Sequence, residues 1–273
     1  MPNVIVQRHV IVQRRGAVLE IVLNRPAVLN AANREMIGEL AAAAGEAAED
    51  PSARVVLLRG AGSHFCAGGD INMFGELISL EPAAREKALH AIVDTLHPLL
   101  IALRRMPKPV VVAAHGAAAG FGLSLVLAAD LAVAAEDCVF ASGYIHLGTS
   151  PDGGMTMTLP RIVGLKRAAE LMLLGDRFDA RRALELGLVN RLVPPAALEA
   201  EAMALATRLA NGPVHAYGRT KALLEASVGQ MLNAQLGRET ESFAACAASA
   251  EFVEGVRAFL EKRRPDFLGA RRH

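Results

Sequence analysis

Residues 108–130 read KPVVVAAHGAAAGFGLSLVLAAD, and how they divide decides the fold. Pro109 opens a short β-branched run, Val110 to Ala114. Bounded by Pro and Gly, such a run reads as a buried strand. Gly116-Ala117-Ala118-Ala119-Gly120-Phe121-Gly122 follows, a loop with almost no side-chain bulk. Leu123 to Ala129 is then apolar on every side, as in a helix buried all round. Strand, small-residue loop and helix bring backbone N–H groups and the positive end of a helix to one place. That arrangement suits an anion or an oxyanion. It equally suits a tight strand-to-helix turn whose small side chains serve packing alone, and the stretch by itself leaves both readings open.

The bulk properties narrow the class. The chain has 273 residues, 52% of them apolar, enough for one large α/β domain with an appendage. A net charge of +1 gives no electrostatic case for nucleic acid or an anionic membrane. Cys66, Cys138 and Cys246 are far apart and form neither a disulfide framework nor a zinc motif, which predicts a reducing compartment. The first ten residues, MPNVIVQRHV, carry charge and lack the apolar segment of a signal peptide. The longest apolar run, Phe121 to Ala135, is interrupted by Asp130 and is no membrane span. The expected location is the cytoplasm.

Outward from the opening stretch, strands and helices alternate. Val10 to Arg14 and Ala17 to Leu23 read as a hairpin around Arg15-Gly16. Asn33 caps an Ala-rich helix, Arg34 to Glu49, which Asp50-Pro51 stops. Arg54 to Arg59 reads as a strand. It leads into a second small-residue loop, Gly60 to Asp70, and Asp70 caps a short helix, Ile71 to Leu77. Glu81 to Arg105 reads as one long helix, with Leu89, Ile92, Val93, Leu96, Leu99, Leu100 and Leu103 at helical spacing. Beyond Asp130, strands are expected at Leu131 to Ala134, Val139 to Ala141 and Val189 to Val193. Helices are expected at Met155 to Val163, Lys166 to Leu174 and Ala180 to Leu186. From Pro194 onward the pattern is helical only: Leu198 to Ala210, His215 to Ala226, Met231 to Ala248 and Glu251 to Arg263. This predicts a mixed core over 1–194 and a helical region over 195–273.

Two glycine-rich loops therefore end two strands: Phe65-Cys66-Ala67-Gly68-Gly69-Asp70-Ile71 and Gly116 to Gly122. Together with Lys108-Pro109-Val110-Val111 and Ala128-Ala129-Asp130, they resemble the enoyl-CoA hydratase/isomerase (crotonase) superfamily. Leu23-Asn24-Arg25-Pro26 with Leu29-Asn30-Ala31 is similar to that family's first CoA-binding segment. Ala180 to Val193 and Phe259 to Phe267 are similar to two later segments, so the resemblance runs in order along nearly the whole chain. It implies an α/β fold, a spiral of ββα units with a C-terminal helical trimerisation region, assembled as a homotrimer or a dimer of trimers. It implies an acyl-CoA substrate whose thioester oxygen sits between two backbone N–H groups, by position those of Ala67 and Phe121. Arg25, Ala31, Cys66, Gly68, Asp70, Ile71, Gly120, Tyr144 and Lys262 are the implied contacts to substrate and CoA, with Arg25 and Lys262 meeting the phosphates. An enolate formed beside a thioester carries negative charge on that oxygen, and a preorganised donor there is worth about 2.7–4 kcal/mol in other enzymes.

The sequence departs from the hydratases at both of their glutamates. Ser124 stands at one position and Gly143-Tyr144 at the other. Water addition needs one group to activate water and another to deliver a proton. Ser124 and Tyr144, with an ordinary tyrosine pKa of about 10, are poor substitutes. Ser150-Pro151-Asp152-Gly153-Gly154 instead resembles the Δ3,Δ2-enoyl-CoA isomerases and the ring-epoxide/oxepin-CoA isomerases, which carry a single carboxylate in this loop. By that resemblance Asp152 moves a proton between two carbons, and burial raises its pKa above about 3.9. Asp152 also suits an Asp-Gly turn or a helix cap. His64 reads as a surface residue near CoA, His146 as a local hydrogen-bonder or a pocket-lining residue, and His115 as packed. Cys66 reads as a small buried residue rather than a nucleophile. The motifs contain no metal-ligand cluster or nucleotide-phosphate fingerprint, so no cofactor is expected beyond the coenzyme A of the substrate. The leading expectation is a double-bond isomerase. The alternatives are a hydratase or thioesterase of the same family, or a non-catalytic RNA- or CoA-binding member. Against RNA stand the near-neutral charge and the lack of interleaved aromatics.

Overall fold

The computed structural model describes residues 4–6, 9–227 and 232–272; the expected helix start at Met231 lies outside the described residues. The hairpin is present, extended by one strand: β1 (Val4–Val6) pairs with β2 (Val10–Arg15), and β2 with β3 (Val18–Leu23), all antiparallel. Helix α1 (Arg34–Glu49) starts at Asn33, whose side chain accepts from the Met36 N–H at 3.0 Å. β4 (Val55–Gly60) then runs parallel to β3. Asp70 caps α2 (Ile71–Gly75). Where the spacing predicts one helix over 81–105 there are two, α3 (Pro82–Asp94) and α4 (Leu96–Arg105). Pro98 explains the break: it has no N–H to donate, and its ring would crowd the carbonyl of Asp94 in a continuous helix.

The opening stretch resolves into β5 (Val110–Ala114), β6 (Ala117–Ala119) and α5 (Phe121–Ala128). After it come β7 (Leu131–Ala135), β8 (Val139–Ala141), α6 (Met155–Val163), α7 (Leu165–Leu174), β9 (Phe178–Asp179), α8 (Ala180–Glu185) and β10 (Arg191–Val193). The large sheet has the order β1-β2-β3-β4-β5-β7-β10, parallel from β3 onward. A small sheet has the order β6-β8-β9. The chain repeatedly leaves the large sheet, touches the small one and returns through a helix. β5-β6-α5 is one such turn and β7-β8 opens the next. After β4 the same step is reduced to one bridge, Cys66 against Ala118. This is the expected spiral of ββα units.

Alternation along the parallel strands divides the core in two. Val56, Leu58, Val110, Val112, Ala132 and Ala134 face the helices that include α1, α4 and α5. Val55, Leu57, Val111, Ala113, Val133 and Ala135 face the other way. The helical region comprises α9 (Leu198–Ala210), α10 (Val214–Ala226), α11 (Leu232–Ala247) and α12 (Ala250–Leu260). A division at residue 194 does not describe it. Leu198, Ala202, Leu205, Ala206 and Ala210 of α9 cover that second sheet face, which would otherwise be open to water. The core thus includes α9. Asp130, at the end of the opening stretch, accepts from the Val110 N–H and from Lys221 Nζ of α10, each at 2.7 Å. A cationic helix residue is thereby tied to the start of β5.

One contact decides where α5 begins. A Cβ at Gly122 would lie 2.2 Å from the Cys66 carbonyl oxygen, so only glycine lets the helix end rest on the neighbouring loop. Gly122→Ala is expected to lose stability by about 1–3 kcal/mol, read as a lowered thermal midpoint; an unchanged midpoint contradicts this packing.

Candidate active site

The two glycine-rich loops are zipped together. The Cys66 N–H donates to the Ala117 carbonyl at 2.9 Å, and the Ala119 N–H returns a bond to Cys66 at 3.0 Å. A Cβ at Gly120 would lie 3.6 Å from the Gly68 Cα, so the loops also touch one residue pair further on. They form one wall of a cavity of about 820 Å³. Met73, Phe74, Leu89, Ile92 and Leu96, from α2, α3 and α4, make the apolar walls.

Backbone bonding identifies the donors that face this cavity. The Phe121 N–H, first in α5, has no backbone acceptor among the described residues. The Gly120 carbonyl accepts from Ser124 at 3.0 Å inside the helix, so across the trans peptide the Phe121 N–H points out of the helix end. The expectation for Ala67 needs correction. Its N–H is spent on the Leu29 carbonyl at 3.1 Å. The Gly68 carbonyl accepts from Ala32 at 2.8 Å, so the Gly69 N–H points the opposite way and has no backbone acceptor among the described residues. Gly69 and Phe121 both line the cavity, and each has an N–H with no backbone acceptor among the described residues. The sequence reading missed Gly69 because the small side chains of residues 66–69 carry no sign of which peptide faces inward. Phe121 keeps its ring buried at 4% exposure in the core behind the cavity wall.

Asp152 lines the same cavity and is the only carboxylate among its described lining residues. Tyr144, in a short 3₁₀ turn (Tyr144–Leu147), donates its hydroxyl to Asp152 Oδ1 at 2.6 Å. Ser124 Oγ lies 3.4 Å from the Tyr144 hydroxyl and donates to the Asp152 carbonyl at 3.3 Å. Burial raises the pKa of the Asp152 carboxyl, and the Tyr144 bond and nearby His97 only partly oppose it. Burial and the charge of Asp152 push the Tyr144 hydroxyl far above its ordinary value, so it stays protonated. His97, on the cavity rim, was not singled out by the sequence because it lies on a helix expected to be merely amphipathic.

The other expected contacts divide. Ala67, Gly68, Ile71, Gly120 and Tyr144 line the cavity. Arg25 does not present a free cation: it is 16% exposed, pairs with Asp70 at 2.9 Å and donates to the Ala31 carbonyl. This clamps the 25–31 segment onto the second loop, with Ala31 as its acceptor. Burial works against the charge of Asp70, but Arg25 and Asn72 outweigh it and hold its carboxyl below the usual range. Cys66 is fully buried and its thiol is pushed up to about 12 by burial, which removes it as a nucleophile. Lys262 lies beyond the end of α12 and does not line the cavity, so this chain alone does not bring it to the site. His146 hydrogen-bonds the Gly175 carbonyl at 3.0 Å and His64 bonds Ser63 at 2.8 Å; neither lines the cavity.

Comparison with known proteins identifies the family. The family model for enoyl-CoA hydratase/isomerase matches residues 13–270. A Rhodobacter capsulatus protein named "Probable enoyl-CoA hydratase" is 40% identical, over 91% of this chain and 93% of that protein. The Escherichia coli 1,2-epoxyphenylacetyl-CoA isomerase is 37% identical, over 92% of this chain and 95% of that one. The crystal structure of an enoyl-CoA hydratase from a Polaromonas species superposes with a TM-score of 0.88 at 33% identity, covering 94% of this chain and 98% of that one.

Ser124 and Gly153 are interlocked. Gly153 has φ +62°, and a Cβ there would lie 2.7 Å from both Ser124 Cβ and Oγ. Gly153→Ala is therefore expected to destabilise the protein by about 1–3 kcal/mol. Adding Ser124→Gly should recover the steric part in a thermal melt and leave the strain of the positive φ. Full tolerance of Gly153→Ala with Ser124 intact contradicts the interlock.

Proposed function

The chain belongs to the enoyl-CoA hydratase/isomerase family, and we propose that within it this protein is an acyl-CoA isomerase that shifts a double bond, of the 3-enoyl-CoA to 2-enoyl-CoA type. The observation that carries this reading is that Asp152 is the single carboxylate among the described lining residues of a largely apolar cavity. The thioester oxygen is held by the Gly69 and Phe121 N–H groups. Asp152 removes a proton from the carbon between the thioester and the double bond. The electron pair of that C–H bond spreads through a dienolate onto the thioester oxygen, where the two donors and the α5 N-terminus stabilise it. The same carboxyl returns the proton two carbons along, and the double bond ends in conjugation with the thioester. One base suffices, and no cofactor is needed beyond the coenzyme A that the substrate carries.

Hydration is the second reading, supported by the printed name of the R. capsulatus relative. It needs a second group to handle water. At 124, where the hydratases carry a glutamate, the Ser124 hydroxyl is bound to the Asp152 carbonyl and the Gly153 backbone closes the space. Assembly into trimers or dimers of trimers, through surfaces carrying exposed Leu165, Leu173, Phe243, Phe259 and Leu260, belongs to the same proposal.

Asp152→Asn is expected to abolish the conversion of 3-enoyl-CoA, followed by the absorbance of the conjugated product, with the thermal midpoint retained; retained turnover sinks the role. The base works only when ionised and its carboxyl is raised. Wild-type kcat/KM should therefore fall as pH drops through a midpoint above the ordinary aspartate value of about 3.9. A flat profile down to that value contradicts the assignment.

A further inference from the structure

A carboxylate that carries a proton between two carbons acts fastest when one oxygen reaches both without the side chain turning. The two oxygens of Asp152 are not equivalent. Oδ1 accepts the Tyr144 hydroxyl at 2.6 Å, a short bond of the charge-assisted kind. The residue is held at its backbone as well, since Ser124 Oγ donates to its carbonyl at 3.3 Å. Ser124 Oγ also stands 3.4 Å from the Tyr144 hydroxyl, and the Gly153 backbone is seated against the same serine. Side chain, carbonyl and following residue are thus fixed from α5 and from the 3₁₀ turn.

We propose that Tyr144 is the positioning residue for Asp152: its hydroxyl ties down Oδ1, leaves Oδ2 as the oxygen that takes and returns the proton, and keeps the carboxylate ionised inside an apolar cavity. The proposal rests on the isomerase reading and adds to it a residue that acts through Asp152 rather than on substrate. The other groups facing Asp152 are few, and its own backbone N–H is one of them. Ser124 of α5 is neutral. His97 of α4 adds favourable charge when protonated, and Asp94 at the end of α3 tempers it at 3.7 Å from the imidazole. Among the described lining residues, His97, Tyr144 and Asp152 are the titratable ones. Tyr144 itself remains a donor, because its own ionisation is opposed by burial and by the carboxylate it holds.

Tyr144→Phe keeps the ring and removes the hydroxyl. Asp152 is titrated by carbon NMR in aspartate-labelled protein, its signal assigned by its loss in Asp152→Asn. In parallel, kcat and KM for 3-enoyl-CoA are measured against pH. The expected result is an Asp152 midpoint about one pH unit higher in Tyr144→Phe, the acid limb of kcat/KM moving with it. Below that limb kcat/KM should be about ten-fold lower, carried by kcat rather than KM. The same shift in a His97→Gln background would confirm that it comes from Tyr144. An unmoved midpoint with raised KM overturns the proposal and makes Tyr144 a wall of the acyl pocket. If the wild type isomerises no enoyl-CoA, the isomerase reading falls and the catalytic part of the proposal with it; an NMR midpoint that still rises would then show a purely structural pair.

Discussion

The pairing of Cys66 with Ala118 is the constraint on which the site depends. Two loops that end neighbouring parallel strands are drawn together until their backbones hydrogen-bond. Their outward peptides then lie side by side, so Gly69 and the first N–H of α5 both border one cavity. Nothing larger than alanine occupies residues 66–69 or 116–120 apart from the buried Cys66 thiol. The close approach of Gly122 to the Cys66 carbonyl extends the same contact into the helix. Small residues are needed here because each added Cβ would force apart two backbones that must touch. The anion site suggested by residues 108–130 and the packing turn suggested by the same residues are therefore one arrangement: tight packing is what presents the donors.

In the same cavity one carboxylate among the described lining residues, Asp152, is held under two opposing demands. Apolar walls from α2, α3 and α4 desolvate Asp152 and make it a stronger base, while the same desolvation favours its protonated form. The Tyr144 hydroxyl offsets part of that cost without competing for the proton, since its own pKa is driven upward. Ser124, small and neutral, leaves room for the loop that carries Asp152. The absence of a glutamate at 124 and the presence of Asp152 are thus linked sterically as well as chemically.

Much of this was legible in the sequence, and the misses have physical causes. Local signals placed α1, α6 and α9 because caps, prolines and helical spacing are properties of short segments. The identity of the second donor was not local. Ala67 and Gly69 are both small, and only the bonds of Ala67 to Leu29 and of Gly68 to Ala32, more than thirty residues earlier, decide which N–H is spent. Arg25 was expected to meet a CoA phosphate, and its pairing with Asp70, 45 residues away, is not a local signal. The composition change at Pro194 is real, but composition does not reveal that α9 covers the second face of the sheet. Asp152 was found through its loop motif. Its bond to Tyr144, eight residues earlier across a turn, required the fold.

As an isomerase, the protein moves a proton with the carboxylate of Asp152, beside two N–H donors lining the same cavity, and adds no water. The most direct measurement is to incubate the protein with 3-enoyl-CoA and analyse the products by mass and ultraviolet absorbance. The expected product has unchanged mass and the absorbance of a conjugated 2-enoyl thioester. A product heavier by one water, formed as fast as or faster than the conjugated isomer, would contradict the isomerase reading.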